Sequence, residues 1–469
     1  MARTPVSDVI VLLPGITGSV LRKDRNDVWA LSGAAAVTAL KSRGASIKQL
    51  ELHGDDPDVD DLGDGITAPS LVPGVHLIPG LWKIDGYRTI TTAIREHLDV
   101  TPGLNFFEFP YDWRRDNRVH ARRLARESHD WLKEWRRSSG NDDAKLVLVG
   151  HSMGGLISRQ FLELHEGWRD TRLLITFGTP YRGSLNALDF VVNGMSKRLG
   201  PITLANLSAM LRSFTSVYQL LPIYPCVAAG GDSLARVAEV EGIPNLDRAR
   251  AADALTFHRT IAEAVDANRD NDEYRRAGYT IKPIAGIFQP TSQSAVLKGD
   301  RVEILRVYEG RDQGGDGTVP SVSATPYELS NMDAEIYVRE RHASLQNADF
   351  SIDQVIGLLR RQQIDQARAF APGSGVSLEL EDAYLVGEPV VVRAEAESEW
   401  ATLRADLENA ETGEAIPSGE MRVADDGWHE VELPPLAEGA YRVTVSGEGD
   451  VNPVTDVFGV FAEGTDVEL

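Results

Sequence analysis

Apolar residues run unbroken through Val9-Ile-Val-Leu-Leu13 and stop at Pro14-Gly15, and a second run, Leu146-Val-Leu-Val149, stops at Gly150. Short apolar runs bounded by turn residues read as buried strands. After the second run, Ile157, Phe161 and Leu164 recur at helical spacing, so VLVGHSMGGLISRQ (Val147 to Gln160) predicts a strand, a tight turn at Ser152 and a helix. The pattern continues with strand-like LNFFEFPYDWR, a polar helix VHARRLARESHDWLKEWRR and a strand in LLITFGTPYRGS. From about Leu185 to Lys282 the chain turns mainly helical, which predicts an insertion. Strand-like PIAGIF and RVEILRVYEG return, followed by GGDGTVP, AEIYVRERHASL and a helix from Ile352 to about Gln363. Strands alternating with helices predict a mostly parallel sheet covered by helices on its faces. Beyond AFAPGSGV the pattern changes to short strands such as VSLEL, PVVVRAEAE and AYRVTVSG, separated by Gly, Pro and Asp turns. That spacing predicts a β-sandwich of immunoglobulin type, with a boundary near Gly373.

The length of 469 residues agrees with two or three such units. The expected limits are a core in residues 1–182 and 284–368, a cap or lid insertion in 183–283, and the sandwich in 374–469. No apolar stretch reaches the roughly 18 to 20 residues of a spanning helix, so no transmembrane segment is expected. The opening MARTPVSDVIVLLPGITGS lacks a basic flank and a long apolar region and reads as the first strand, which leads to an expected cytoplasmic location. A single cysteine, Cys226, rules out an intrachain disulfide and agrees with a reducing compartment. The net charge of −22 opposes attraction to nucleic acid and to anionic membrane. HGDDPDVDDLGDG (His53 to Gly65) reads as a solvated acidic loop. Its spacing does not match an EF-hand, so neither a metal nor any other cofactor is expected.

In the strand-to-helix turn, Gly150 and Gly154 flank Ser152 two residues away on each side. That spacing lets neighbouring chain pass while the hydroxyl stands above a sheet, beside free helix N–H groups. A serine needs a histidine base, and the histidine needs a carboxylate to fix its tautomer. Four histidines follow Ser152: His165, His258, His342 and His429. Only His342 lies between a core-like strand and a core-like helix. Asp316, between Gly315 and Gly317, suits a turn at a strand end, with Asp312 as the fallback. The second oxyanion donor, besides Met153, is expected from Ile16 in the PGITGS turn.

Together LLPGITGSVL, FFEFPYDWR, GHSMGGLISR, TFGTPYRGS, RSFTSVYQLLP and GDGTVP followed by RHASL resemble the lecithin:cholesterol acyltransferase-like group, with its bacterial lipase-like members, within the α/β-hydrolases. The resemblance runs from about Val9 to Leu359. It implies an α/β-hydrolase core with a mainly helical cap or lid, followed here by the immunoglobulin-like sandwich that the family does not cover. It also implies Ser152 as nucleophile, Asp316 as acid, His342 as base, and Ile16 and Met153 as the oxyanion hole. The substrate would be a lipid or another acyl ester, cleaved by water or passed to an alcohol. An inert hydrolase-fold binding protein is the competitor from another class. Paired cysteines of the secreted branch cannot form in this chain.

Phe214, Tyr218 and Leu221 in RSFTSVYQLLPIYP either close the insertion's own core or wall an acyl chain. Trp113 and Arg114 of PYDWR likewise either line a pocket or pack and pair. The sandwich either packs passively or docks a protein partner or positions the chain near its substrate, and a chain ending near Arg368 is expected to keep its turnover of soluble esters while losing any partner specificity.

Overall fold

The computed structural model describes residues 3–24, 26–29, 49–78, 82–194, 205–229, 233–329, 336–360, 375–397, 401–424, 426–447 and 451–462. Six strands form the central sheet: β1 (Val9–Leu13), β2 (Phe106–Glu108), β3 (Leu146–His151), β4 (Thr171–Phe177), β5 (Thr280–Gly286) and β6 (Ile336–Val338). Their order is β6-β5-β4-β3-β1-β2, and every neighbouring pair is parallel. A parallel sheet is buried on both faces, which is why β1 and β3 are apolar at nearly every position.

Alternate strand residues enter different layers. Val9, Val11, Leu13, Leu146 and Leu148 share a cluster with residues of α2 (Asn117–Ser139) and α3 (Met153–Leu164). Ile10, Leu12, Val147 and Val149 share another with residues of α1 (Arg88–His97) and α9 (Asp349–Leu359). The sequence fixes where α2 begins and ends. The Asp116 carboxylate accepts the Arg118 N–H, and Gly140 closes the helix at φ 68°.

Between β4 and β5 lie α4 (Leu185–Asn193), α5 (Ala205–Ser213), α6 (Thr215–Gln219), α7 (Arg248–Arg269) and α8 (Asp272–Ala277). This region also holds Val227–Ala228 and Leu234–Ala235, which join Ser294–Lys298 and Arg301–Leu305 in a four-stranded sheet. RVEILRVYEG is therefore not a strand of the central sheet. Exposed and buried positions mix along Arg301–Leu305, as suits a sheet with one wet face rather than a parallel sheet covered twice.

The acidic run is an exposed loop, as expected, but it is tethered. Arg115 donates to the Asp55 carboxylate and to the carbonyls of Asp56, Val59 and Asp60, and Arg122 reaches the Asp60 carboxylate at 2.7 Å. The arginines of PYDWRR and α2 thus tie the run down.

Residues after 374 form two more sheets. One is β7 (Val376–Glu379), β9 (Val391–Ala396), β13 (His429–Glu432) and β12 (Arg422–Val423) in that order. The other is β8 (Ala383–Leu385), β15 (Val454–Phe461), β14 (Gly439–Gly447), β10 (Leu403–Asn409) and β11 (Ala415–Ile416). All their pairings are antiparallel except β8 with β15. Leu378, Val392, Ala405, Val443 and Phe458 share one core between them. The boundary near Gly373, and with it Gln363 and Arg368, lies outside the described residues. Among the described residues no helix is long and apolar enough to cross a membrane.

Candidate active site

β3 ends at His151 and α3 begins at Met153, leaving Ser152 at φ 51°, ψ −120°. A non-glycine residue held there costs about 1–3 kcal/mol and persists only where neighbours over-determine it. Ser152 N–H donates to the Phe177 carbonyl at 2.8 Å, and the Ser152 carbonyl accepts from Thr179 Oγ1 at 2.9 Å and from Gly155 N–H at 3.0 Å. Gly154 lets β1 pass close by, since a Cβ there would lie 2.6 Å from the Pro14 carbonyl oxygen.

His342, in the loop after β6, faces the serine from one side and a carboxylate from the other. Its Nε2 is 3.0 Å from Ser152 Oγ and its Nδ1 is 2.7 Å from Asp316 Oδ2. Asp316 follows β5 through the pairing of Gln289 N–H with the Gly315 carbonyl. Its second oxygen accepts the N–H groups of Thr318 at 2.9 Å and Val319 at 2.6 Å. The carboxylate is 1% exposed, so these donors replace the water it has lost. Asp312 instead accepts from Gly314 N–H and the Gln293 side chain. The other histidines lie elsewhere: His165 ends α3, His258 bonds the Gln219 carbonyl and His429 the Ala401 carbonyl. Gly178, at φ 51°, leaves room for the pair, because a Cβ on it would stand 2.7 Å from Asp316 Oδ2 and 2.8 Å from His342 Nδ1.

Ile16 and Met153 are both buried, and among the described residues neither N–H has an acceptor. The neighbouring Gly15 N–H donates to Tyr87 Oη at 2.7 Å. The Tyr87 hydroxyl in turn lies 2.9 Å from His151 Nδ1, and His151 Nε2 lies 3.2 Å from the His342 carbonyl. Since a carbonyl only accepts, His151 carries its proton on Nε2 and accepts the hydrogen bond of the Tyr87 O–H at Nδ1. Burial, with the His342 ring adding to it, holds His151 well below the usual histidine range, so it stays neutral. Sequence reasoning missed this chain of bonds. His151 stood inside the serine motif, but nothing local marks Tyr87, 64 residues away.

Trp113, Phe214, Tyr218 and Leu221 all belong to the apolar cluster that contains Ile16 and Met153. Trp113 donates to the Ser19 carbonyl at 3.0 Å and meets Phe214 edge-on at 5.7 Å. Arg114 pairs with Asp64 and Asp112. Tyr218 lines a cavity of about 560 Å³ with Asp116 and Gln219, and no member of the serine line borders it. Asp316 and His342 border a polar cavity of about 120 Å³, room for a few waters and too little for an acyl chain. Among the described residues no group of three or more metal-ligating side chains is gathered.

The family described as lecithin:cholesterol acyltransferase matches residues 83–348, more than half of the chain. An uncharacterized protein of Saccharomyces cerevisiae is 26% identical over 156 residues, which are 33% of this chain and 20% of that protein. The chain thus spans about a fifth of the length of that curated relative. Among solved structures, the Tle4–Tli4 complex matches with a TM-score of 0.44 at 15% identity, over 76% of this chain and 97% of that one. The mature lipase BlEst2 of Bacillus licheniformis matches with a TM-score of 0.32 at 14% identity, over 76% and 94% of the two chains. Phospholipase PlaB of Legionella pneumophila matches with a TM-score of 0.25 at 9% identity, over 97% and 92%. Likenesses this distant say nothing of substrate.

Proposed function

Because the chain belongs to the lecithin:cholesterol acyltransferase family, we propose that it is a serine ester hydrolase of lipase or phospholipase type. The observation that carries this reading is the hydrogen-bonded line Ser152–His342–Asp316, whose serine stands on a strained strand-to-helix turn. Ser152 Oγ attacks the ester carbonyl as its proton passes to His342 Nε2, and the negative charge that develops meets the N–H groups of Ile16 and Met153. His342 then protonates the departing alcohol, leaving an acyl-serine. Water, deprotonated by the same nitrogen, releases the acid and restores the hydroxyl. Asp316 holds the imidazole with Nδ1–H towards itself and stabilises the imidazolium.

Within this reading residues 1–182 and 284–368 are an α/β-hydrolase core and 183–283 its cap, with the second limit moved back to before Thr280 because β5 belongs to the central sheet. The helices α4 to α8 between β4 and β5 support that cap. Residues 374–469 are an immunoglobulin-like sandwich, supported by two sheets around one core. Cytoplasmic action suits the single, buried Cys226.

The family match also favours acyl transfer to an alcohol as a second reading, since the acyl-serine is common to both. Incubation with phosphatidylcholine vesicles containing a sterol or a long-chain alcohol separates them. Free fatty acid alone is the expected product, new ester would establish transfer, and no consumption of phospholipid, short-chain ester or triglyceride would defeat both.

A further inference from the structure

His342 sits in a loop that the C-terminal sheets grip on both sides of it. Arg339 pairs with Glu397, just beyond β9, at 2.9 Å. The Glu340 carboxyl group accepts the Thr455 N–H of β15 at 3.0 Å and the Arg341 N–H at 2.8 Å. Arg341 Nε lies 3.0 Å from Asp456 Oδ2, also on β15, and its guanidinium donates to the Leu378 carbonyl on β7. Ala343 packs with Ala440 of β14 and Val457 of β15. Of residues 339–343, His342 alone turns the other way, towards Asp316 and Ser152.

Asp456 is the centre of this grip. Its side chain is fully buried, and besides Arg341 it holds Lys83, from the chain before α1, at 2.7 Å. Lys83 is shared with Asp382, between β7 and β8, at 2.9 Å. A buried carboxylate between two cations is a fixed point, because removing it leaves both cations facing a site built for charge. Just beyond this cluster, Asp85 pairs with Arg442 of β14, so the same sheets also hold the segment that leads into Tyr87.

We propose that the C-terminal sheets position the catalytic base, with Asp456 and Arg341 as positioning residues, an inference that rests on Ser152, His342 and Asp316 being the reacting groups. The sheets supply no atom to the reaction. They set where the imidazole stands, and a displacement of about 1 Å at such a group costs roughly a hundredfold in rate. A chain ending near Arg368 would lose every one of these contacts, so the expectation that soluble-ester turnover survives without the sheets gives way.

The test uses the full-length chain with Asp456→Asn and, separately, Arg341→Met, which leaves Asp456 paired with Lys83. Both are assayed on p-nitrophenyl butyrate and by the rate of fluorophosphonate labelling, at a temperature where circular dichroism shows each folded. Positioning predicts that kcat and the labelling rate fall together by about tenfold or more while KM stays within about twofold. A merely cohesive role would lower the melting temperature and leave kcat alone. A folded Asp456→Asn chain with kcat within about twofold of wild type overturns the inference, and so does a chain left unfolded by either substitution, which gives the sheets a folding role only. If the wild-type chain is neither active nor labelled at Ser152, the reading of the site itself falls and takes this inference with it.

Discussion

Asp316 and Asp312 lie four positions apart in one glycine-rich turn, yet they do different work. Asp316 bonds His342 Nδ1, whereas Asp312 bonds Gly314 N–H and the Gln293 side chain. In serine proteases the Asp→Asn change leaves the geometry intact and lowers turnover by roughly 10⁴-fold, because the histidine is then held in the wrong tautomer. Asp316→Asn should therefore be nearly inactive on p-nitrophenyl butyrate, and Asp312→Asn should retain most of the wild-type kcat. The reverse result would make Asp312 the acid. Ser152 and His342 could be named in sequence because each follows an apolar strand, and Asp316 because its glycine-flanked turn falls between them in the required order, although the strand expected before it, Arg301–Leu305, belongs to the small sheet. Gly178 could not, since its role is to leave space beside Asp316 and His342, and an omitted side chain has no local signature. Tyr87 was equally silent, because its partners Gly15 and His151 meet it only after the chain has folded.

At the scale of elements, the loop between β6 and α9 carries a group whose protonation sets its stability. Burial, with the carboxylates of Asp456 and Asp85 nearby, pushes the Glu340 carboxyl up to about 8 from an ordinary 4.5. The folded chain then keeps a proton there that the unfolded chain loses above about pH 4.5. Stability accordingly falls as pH rises from about 4.5 to about 8. Glu340→Gln keeps the shape and both accepted N–H bonds but cannot ionise. Denaturant unfolding should show it matching wild type near pH 4.5 and exceeding it by a few kcal/mol, in order of magnitude, above pH 8. A difference that does not change with pH would contradict this account. Elements with two buried faces, such as β1 and β3, were legible as apolar runs. Arg301–Leu305 also read as strand-like but joined a small sheet beside the insertion, because a five-residue strand pattern does not say which sheet will take it.

Over the whole molecule, the sequence pattern separated the C-terminal strands from the rest but said nothing of where they dock. Among their contacts are charged pairs such as Lys83–Asp456, made between residues 373 apart, and single charges in a polar stretch look like solvated surface until the fold pairs them. The arginines that tie the acidic run escaped for the same reason. All the same, the account stands or falls on one oxygen atom, Ser152 Oγ. The direct measurement is to treat the full-length chain with a fluorophosphonate probe and map the adduct by mass spectrometry, with Ser152→Ala alongside. The account predicts a single adduct on the peptide containing Ser152 and none in the Ser152→Ala chain. A folded chain that takes up no probe, or one labelled equally in both forms, would contradict it.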